Sequence, residues 1–178
     1  MDLTCFPVTA ERWEDLERVF EGRGGPHFCW CMVWRRAPAG HTKSDKAGKK
    51  ACLRQLVDDG STVGLLGYLE GEPVAWCSVA PRATYRNLGG DEAKEKVWSL
   101  VCFFVPRRLR KQGIARSLID GAVAYARSEG AEWLEAYPVA PETNSYRFGG
   151  FVPMFEAAGF GYVKDAGKRR KVMVKRLG

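Results

Sequence analysis

The chain has 178 residues, 46% of them hydrophobic and 12% aromatic, with a formal net charge of +7. That length and apolar content suit one domain spanning residues 1–178 and exclude a disordered chain. No apolar run approaches a membrane span, and the N-terminus MDLTCFPVTA shows no signal peptide. Six cysteines without a repeating framework point to reduced thiols and a cytoplasmic setting. The positive charge favours an anionic ligand; no zinc-finger, RNA-recognition or helix-turn-helix pattern argues for nucleic acid.

In chain order, residues 3–8 read as a first strand. Thr9 is a candidate N-cap for a helix carrying Trp13, Leu16 and Phe20 at helical spacing, which the glycines at 22, 24 and 25 break. The segment 27–36, HFCWCMVWRR, is too rich in aromatic and sulfur side chains to lie open in water. Phe28, Trp30 and Trp34 are therefore candidates for lining a substrate pocket, with plain packing as the alternative. Ser44 or Asp45 caps a second helix that ends at Gly60. Residues 62–69 and 73–79 form a hairpin around Glu70-Gly71-Glu72. Residues 82–95 read as a charged, mobile surface loop in which Arg82, Tyr85 and Arg86 are solvated, with reach to a substrate as the alternative.

Residues 97–105 form an apolar run without clean alternation, the pattern of a strand buried on both faces. Pro106 ends it, having no N–H to give. Arg107, Arg108, Arg110 and Lys111 make a basic loop, and Gly113 opens a helix in which Ile114, Leu118, Ala122 and Ala126 recur every four residues, up to Gly130. Strand, basic glycine loop and helix start together make an anion site: the first helical amides have no internal partner, and a glycine lets phosphate approach the backbone. A further strand spans 132–137, a loop 142–150, a short helix 152–158, and a last strand pair 160–163 and 171–177.

The residues Arg110-Lys111-Gln112-Gly113-Ile114-Ala115 resemble the R/Q-x-x-G-x-G/A signature of the GNAT acyltransferase superfamily. The element order β-α-α-β-β-β-α-β-α-β-β matches that family over nearly the whole chain, as does Gly159-Phe160 after the short helix. The resemblance implies an α/β fold of three layers, α/β/α, around a central mixed, mostly antiparallel sheet. It also implies a gap between the fourth and fifth strands, and acetyl transfer from acetyl-CoA to an amine by direct attack on the thioester. Coenzyme A would lie against Phe103, Phe104, Val105, Arg110, Lys111, Gln112, Gly113, Ile114, Ala115 and Arg116, with the Phe103 backbone N–H as oxyanion donor.

Two positions depart from the family pattern. Ser99 stands where a glutamate base is common, and Phe155 where a tyrosine acid is common. Substitutes for them are Glu135, Tyr137 and Tyr146, with Glu135 also readable as a solvated strand residue. The expected acceptor is a small-molecule amine, met by a monomer or homodimer that needs neither nucleic acid nor membrane. Protein or peptide acetylation and a non-catalytic acyl-CoA-binding module are the alternatives. Acetyl transfer of this kind needs no metal; zinc on His27, Cys29, Cys31 and His41 is a separate possibility.

Overall fold

The computed structural model describes residues 2–178. Its elements are β1 Thr4–Pro7, α1 Trp13–Glu21, α2 Lys46–Asp58, β2 Leu65–Leu69, β3 Glu72–Pro81, β4 Val97–Phe104, α3 Ile114–Ser128, β5 Trp133–Ala136, α4 Val152–Ala157, β6 Gly161–Ala166 and β7 Arg170–Arg176. The element order is the expected one. Thr9 does not cap α1 with its side chain; a 3-10 turn at Ala10–Arg12 leads into the helix instead. Asp45 does cap α2, accepting from the Gly48 amide at 2.7 Å.

The strands form one sheet in the order β1-β2-β3-β4-β5-β7-β6. Every neighbouring pair is antiparallel except β4 and β5, which run parallel. The sheet is covered on both faces. On one side α1 and α2 bring Leu16, Phe20, Cys52, Leu53 and Val57 onto Leu66 and Trp76. On the other, α3 and α4 bring Leu118, Ala122 and Phe155 onto Val79, Leu100 and Leu134. This is the three-layer α/β/α arrangement, and burial of both faces explains why the β4 sequence does not alternate.

Two features of β4 position the site. Its pairing with β3 skips Val101: Ser78 stands opposite Cys102, and Val79 opposite Leu100. This bulge turns Val101 and Cys102 toward the α1/α2 side, while Leu100 and Phe103 both pack with the α3 side. The pairing with β5 stops at Leu100↔Ala136, four residues before β4 ends. Beyond that point β4 carries on alone, and the chain leaving β5 turns away to pair Val139 with Phe151. The two parallel strands thus part, as the family resemblance led one to expect. The gap is crossed on one side by the 3-10 turn Arg147–Gly149: a Cβ added to Gly149 would stand 3.0 Å from the Tyr137 carbonyl oxygen and 3.8 Å from that of Val101.

Candidate active site

The basic loop takes the shape that its residues predict. Lys111 and Gly113 both adopt left-handed backbone angles (φ 61° and 84°), and Gly113 is the N-cap of α3. Among the described residues, the amides of Lys111, Gln112, Gly113, Ile114, Ala115 and Arg116 donate to no protein acceptor; the first amide to close onto the loop is that of Ser117, on the Gly113 carbonyl at 3.0 Å. Six consecutive unpaired donors at a helix N-terminus, beside the end of the parted strands, fit a pyrophosphate. No protein atom lies within 4 Å of where a Gly113 Cβ would stand, so the space in front of the loop is open. The side chains divide differently from the backbone. Arg110 is turned inward, its Nε donating to the Val105 carbonyl at 3.0 Å, and Gln112 bonds the Arg108 carbonyl at 2.8 Å. Arg116 pairs with Asp120 at 3.0 Å. Through its bond to Val105, Arg110 ties the loop back to the end of β4. Phe103 packs on Phe155 (ring centroids 6.0 Å apart), and Phe104 packs with the α1/α2 core.

On the opposite side of the gap, three residues separated in sequence come together. The parallel register places Ser99 beside Glu135, and Tyr137 follows on the same face two residues later. The Tyr137 hydroxyl donates to Glu135 Oε2 at 2.7 Å and lies 3.5 Å from Ser99 Oγ. Glu135 is fully buried (0% exposed), which corrects its reading as a solvated strand residue. Three partners compensate that burial: Tyr137, the Asp91 amide at 2.6 Å, and Arg82 Nη1 at 3.5 Å. Burial and then the negative charge of Glu135 push the Tyr137 phenol far above its ordinary range, so its hydroxyl remains protonated. A buried carboxylate thus stands on β5 directly beside Ser99 of β4.

The charged loop 82–95 is also not the free surface segment expected of it. Arg82 donates to the carbonyls of Asp91 (2.8 Å) and Lys94 (3.0 Å), folding the loop over Glu135. Gly90 approaches so closely that a Cβ there would meet Glu135 Oε2 at 2.3 Å. Tyr85 is buried rather than solvated, and burial raises its phenol to about 12. Its hydroxyl accepts from Arg35 Nη2 at 2.9 Å. Arg35 is itself buried, donating also to the Val63 carbonyl at 2.8 Å. This anchor, with the Arg86 amide on the Trp34 carbonyl at 2.8 Å, aims Trp34 toward the site.

Trp34 meets Tyr146 (6.0 Å between rings, stacked) and Phe148 (6.2 Å), forming an aromatic cluster in which Trp34 also packs on the buried group that holds Tyr137. The guanidinium of Arg170 lies among them, 4.9 Å from the Trp34 ring, 5.6 Å from Tyr146 and 5.9 Å from Tyr137. Tyr146 adopts a left-handed backbone (φ 59°) unusual for its type. The other two aromatic candidates lie elsewhere. Trp30 is core, stacked on Trp13 at 5.8 Å and tilted against Phe20 at 5.0 Å; Phe28 is 60% exposed and touches His27. Both corrections have one cause: an irregular segment has no period to say which aromatic turns inward. The zinc set does not assemble. Among the described residues no three metal-ligating groups cluster. Cys31 accepts from Trp76 Nε1 at 3.0 Å, its thiol raised by its bond to Cys102 and by burial, and exposed His41 meets the Ala39 carbonyl. A depression of about 730 Å³ between β1 and α3, lined by Leu3, Cys5 and Gly121, touches neither the aromatic cluster nor Glu135 and Tyr137.

Phe155 is fully buried between Phe103 and Phe160. Phe155→Tyr is expected to keep or raise acetyl transfer if its new hydroxyl reaches the gap, with a melting temperature within a few degrees of wild type. A hydroxyl left unpaired in the core would cost about 1–3 kcal/mol, and a loss of activity together with a drop of about 2–4 °C per kcal/mol would place the ring edge in the core.

A three-layer fold with parted parallel strands, an amide-lined loop at a helix start and a polar relay across the gap is that of an acyl-CoA-dependent transferase. The family model of the acetyltransferase (GNAT) family matches residues 12–151, and the chain belongs to that family. It is an acetyltransferase whose co-substrate is acetyl-CoA. Among solved structures it is similar to an acetyltransferase from Thermus thermophilus (20% identity, 99% of this chain and 98% of that one, TM-score 0.58). It is also similar to a ribosomal-protein-alanine N-acetyltransferase from Brucella melitensis (19%, 98% and 99%, 0.58). A third is the PaiA N-acetyltransferase from Thermoplasma acidophilum in complex with coenzyme A (12%, 99% and 99%, 0.60). No curated protein matches the chain.

Proposed function

We propose that this acetyltransferase acts on a primary amine of a small molecule, and that residues 1–178 work as one acyltransferase domain in a reducing, cytoplasmic setting. The observation that carries the reading is the aromatic cluster of Trp34, Tyr146 and Phe148, drawn from separate stretches of chain and joined to Tyr137 through Trp34 and Arg170. Aromatic walls around a few polar groups suit a compact ligand. The six cysteines are all unpaired, in keeping with a reducing compartment.

Acetyl-CoA supplies the thioester that the amine attacks; the C–S bond breaks and coenzyme A leaves as a thiolate, which takes its proton from solvent. The Lys111–Arg116 amides would hold its pyrophosphate. The unpaired edge of β4 would receive its arm, with the Phe103 N–H directed at the thioester oxygen where charge develops. The chain's own proton chemistry lies across the gap. The Tyr137 hydroxyl takes a proton from the attacking amine while its own passes to Glu135 Oε2, along the 2.7 Å hydrogen bond between them. Ser99 Oγ, at 3.5 Å, orients that hydroxyl. No covalent enzyme intermediate is required, and holding the amine in line supplies much of the rate.

Screening a panel of amines and peptides for release of the coenzyme A thiol tests the acceptor class. Turnover of small amines is expected; turnover on peptides alone would overturn the proposal. The Brucella enzyme's name does not favour a protein acceptor here, because likeness at 19% identity speaks for the fold.

A further inference from the structure

Arg170 is the first residue of β7, and its backbone is held on both sides, by Val139 and by Ala166. Its guanidinium lies against three aromatic rings at the mouth of the site. Its one hydrogen bond is long, 3.4 Å to the Leu88 carbonyl. None of the ion pairs among the described residues includes it. The cations around it are committed: Arg82 to Glu135, Lys171 to Asp165 at 2.7 Å, and Arg169 to Ser145. Asp165 is thus taken by Lys171, and Glu135 is sealed behind Tyr137, the Asp91 amide and Arg82.

We infer that Arg170 binds a carboxylate of the acceptor, so that the substrate is an amine carrying a carboxylate close by, a free amino acid in the simplest case. This deepens the proposed acetylation of a small amine and rests on it. A guanidinium presents a planar fork that matches a carboxylate in two parallel hydrogen bonds. The rings of Trp34 and Tyr146 shield the guanidinium from water on their side, which strengthens a charge pair made there. Arg170 is the cation that lies against the Trp34 and Tyr146 rings, and one guanidinium suits a singly charged carboxylate better than a phosphate, which would draw on a second. A purely cationic acceptor such as a polyamine would meet Arg170 as a like charge and is disfavoured. The Arg170 guanidinium carbon lies 5.9 Å from the Tyr137 ring, so carboxylate and amine are separated by a few bonds at most.

The test compares matched pairs, L-phenylalanine with phenethylamine and L-leucine with isoamylamine, on the wild type, Arg170→Lys and Arg170→Met. Phosphoethanolamine against β-alanine separates phosphate from carboxylate. Wild type is expected to favour the acid of each pair at least tenfold in kcat/KM, mainly through KM, and β-alanine over phosphoethanolamine. Arg170→Met should shrink the acid-to-amine ratio at least tenfold, with Arg170→Lys between. A preference for the decarboxylated amines, for phosphoethanolamine, or a ratio unchanged in Arg170→Met overturns the inference. If no member is acetylated, the proposed transfer to small amines fails, and calorimetric titration of the same pairs in saturating coenzyme A decides this inference separately. Acids that bind, and lose binding in Arg170→Met, uphold it; equal or absent binding refutes it.

Discussion

Gly113→Val is expected to weaken coenzyme A binding at least tenfold, about 1.4 kcal/mol. Two effects act in the same direction. Gly113 has φ 84°, where an L side chain costs about 1–2 kcal/mol. A side chain there also projects into the open space faced by the unpaired amides. Because no protein atom stands within 4 Å of the added Cβ, the fold itself meets no clash. The strain alone should lower the melting temperature by a few degrees, at about 2–4 °C per kcal/mol for a chain of this size. Gly113→Asn separates the two effects, since asparagine tolerates the left-handed conformation while still adding a side chain. It should remain as stable as wild type and still lose several-fold in affinity. Calorimetric titration with coenzyme A measures all three proteins. If Gly113→Val folds and binds as tightly as wild type, this loop is not where the coenzyme is held.

The second large effect lies on Glu135 and Tyr137. Each of Glu135→Gln and Tyr137→Phe should lower kcat about 100-fold, a usual share for proton transfer by a positioned side chain. Coenzyme A affinity should not follow, because neither residue belongs to the amide loop. A carboxylate buried for structure alone would also be missed by the fold, so the distinguishing measurement is the double variant. If Glu135 acts through Tyr137, adding Glu135→Gln to Tyr137→Phe costs little more than Tyr137→Phe alone, whereas independent roles add. Full additivity in kcat would make Glu135 a support for the Arg82–Asp91 loop and nothing more. Ordinary activity in Tyr137→Phe would place the proton path elsewhere, with Tyr146 the next residue to vary.

The parts of this protein that could be read from its sequence are those set by near neighbours along the chain. The 97–104 strand shows as an unbroken apolar run because both of its faces are covered, and Pro106 and Gly113 mark where ladder ends and helix begins through their backbone chemistry. Amide donors at a helix start are local too, so the open amides of the 110–115 loop and its left-handed glycine were legible, although the inward turn of Arg110 was not. The hairpin of β2 and β3 and the helical stripes of α1 and α3 followed from period and turn chemistry alone. What the tertiary structure decided is everything that depends on register between distant strands. Ser99 and Glu135 are far apart in the chain, and only the parallel pairing of β4 with β5 sets them side by side. Arg82 and Arg170 look in sequence like solvated charges among many. Folding gives the first a buried carboxylate and leaves the second among aromatic rings without one, because charge partners are chosen by proximity in space rather than along the chain.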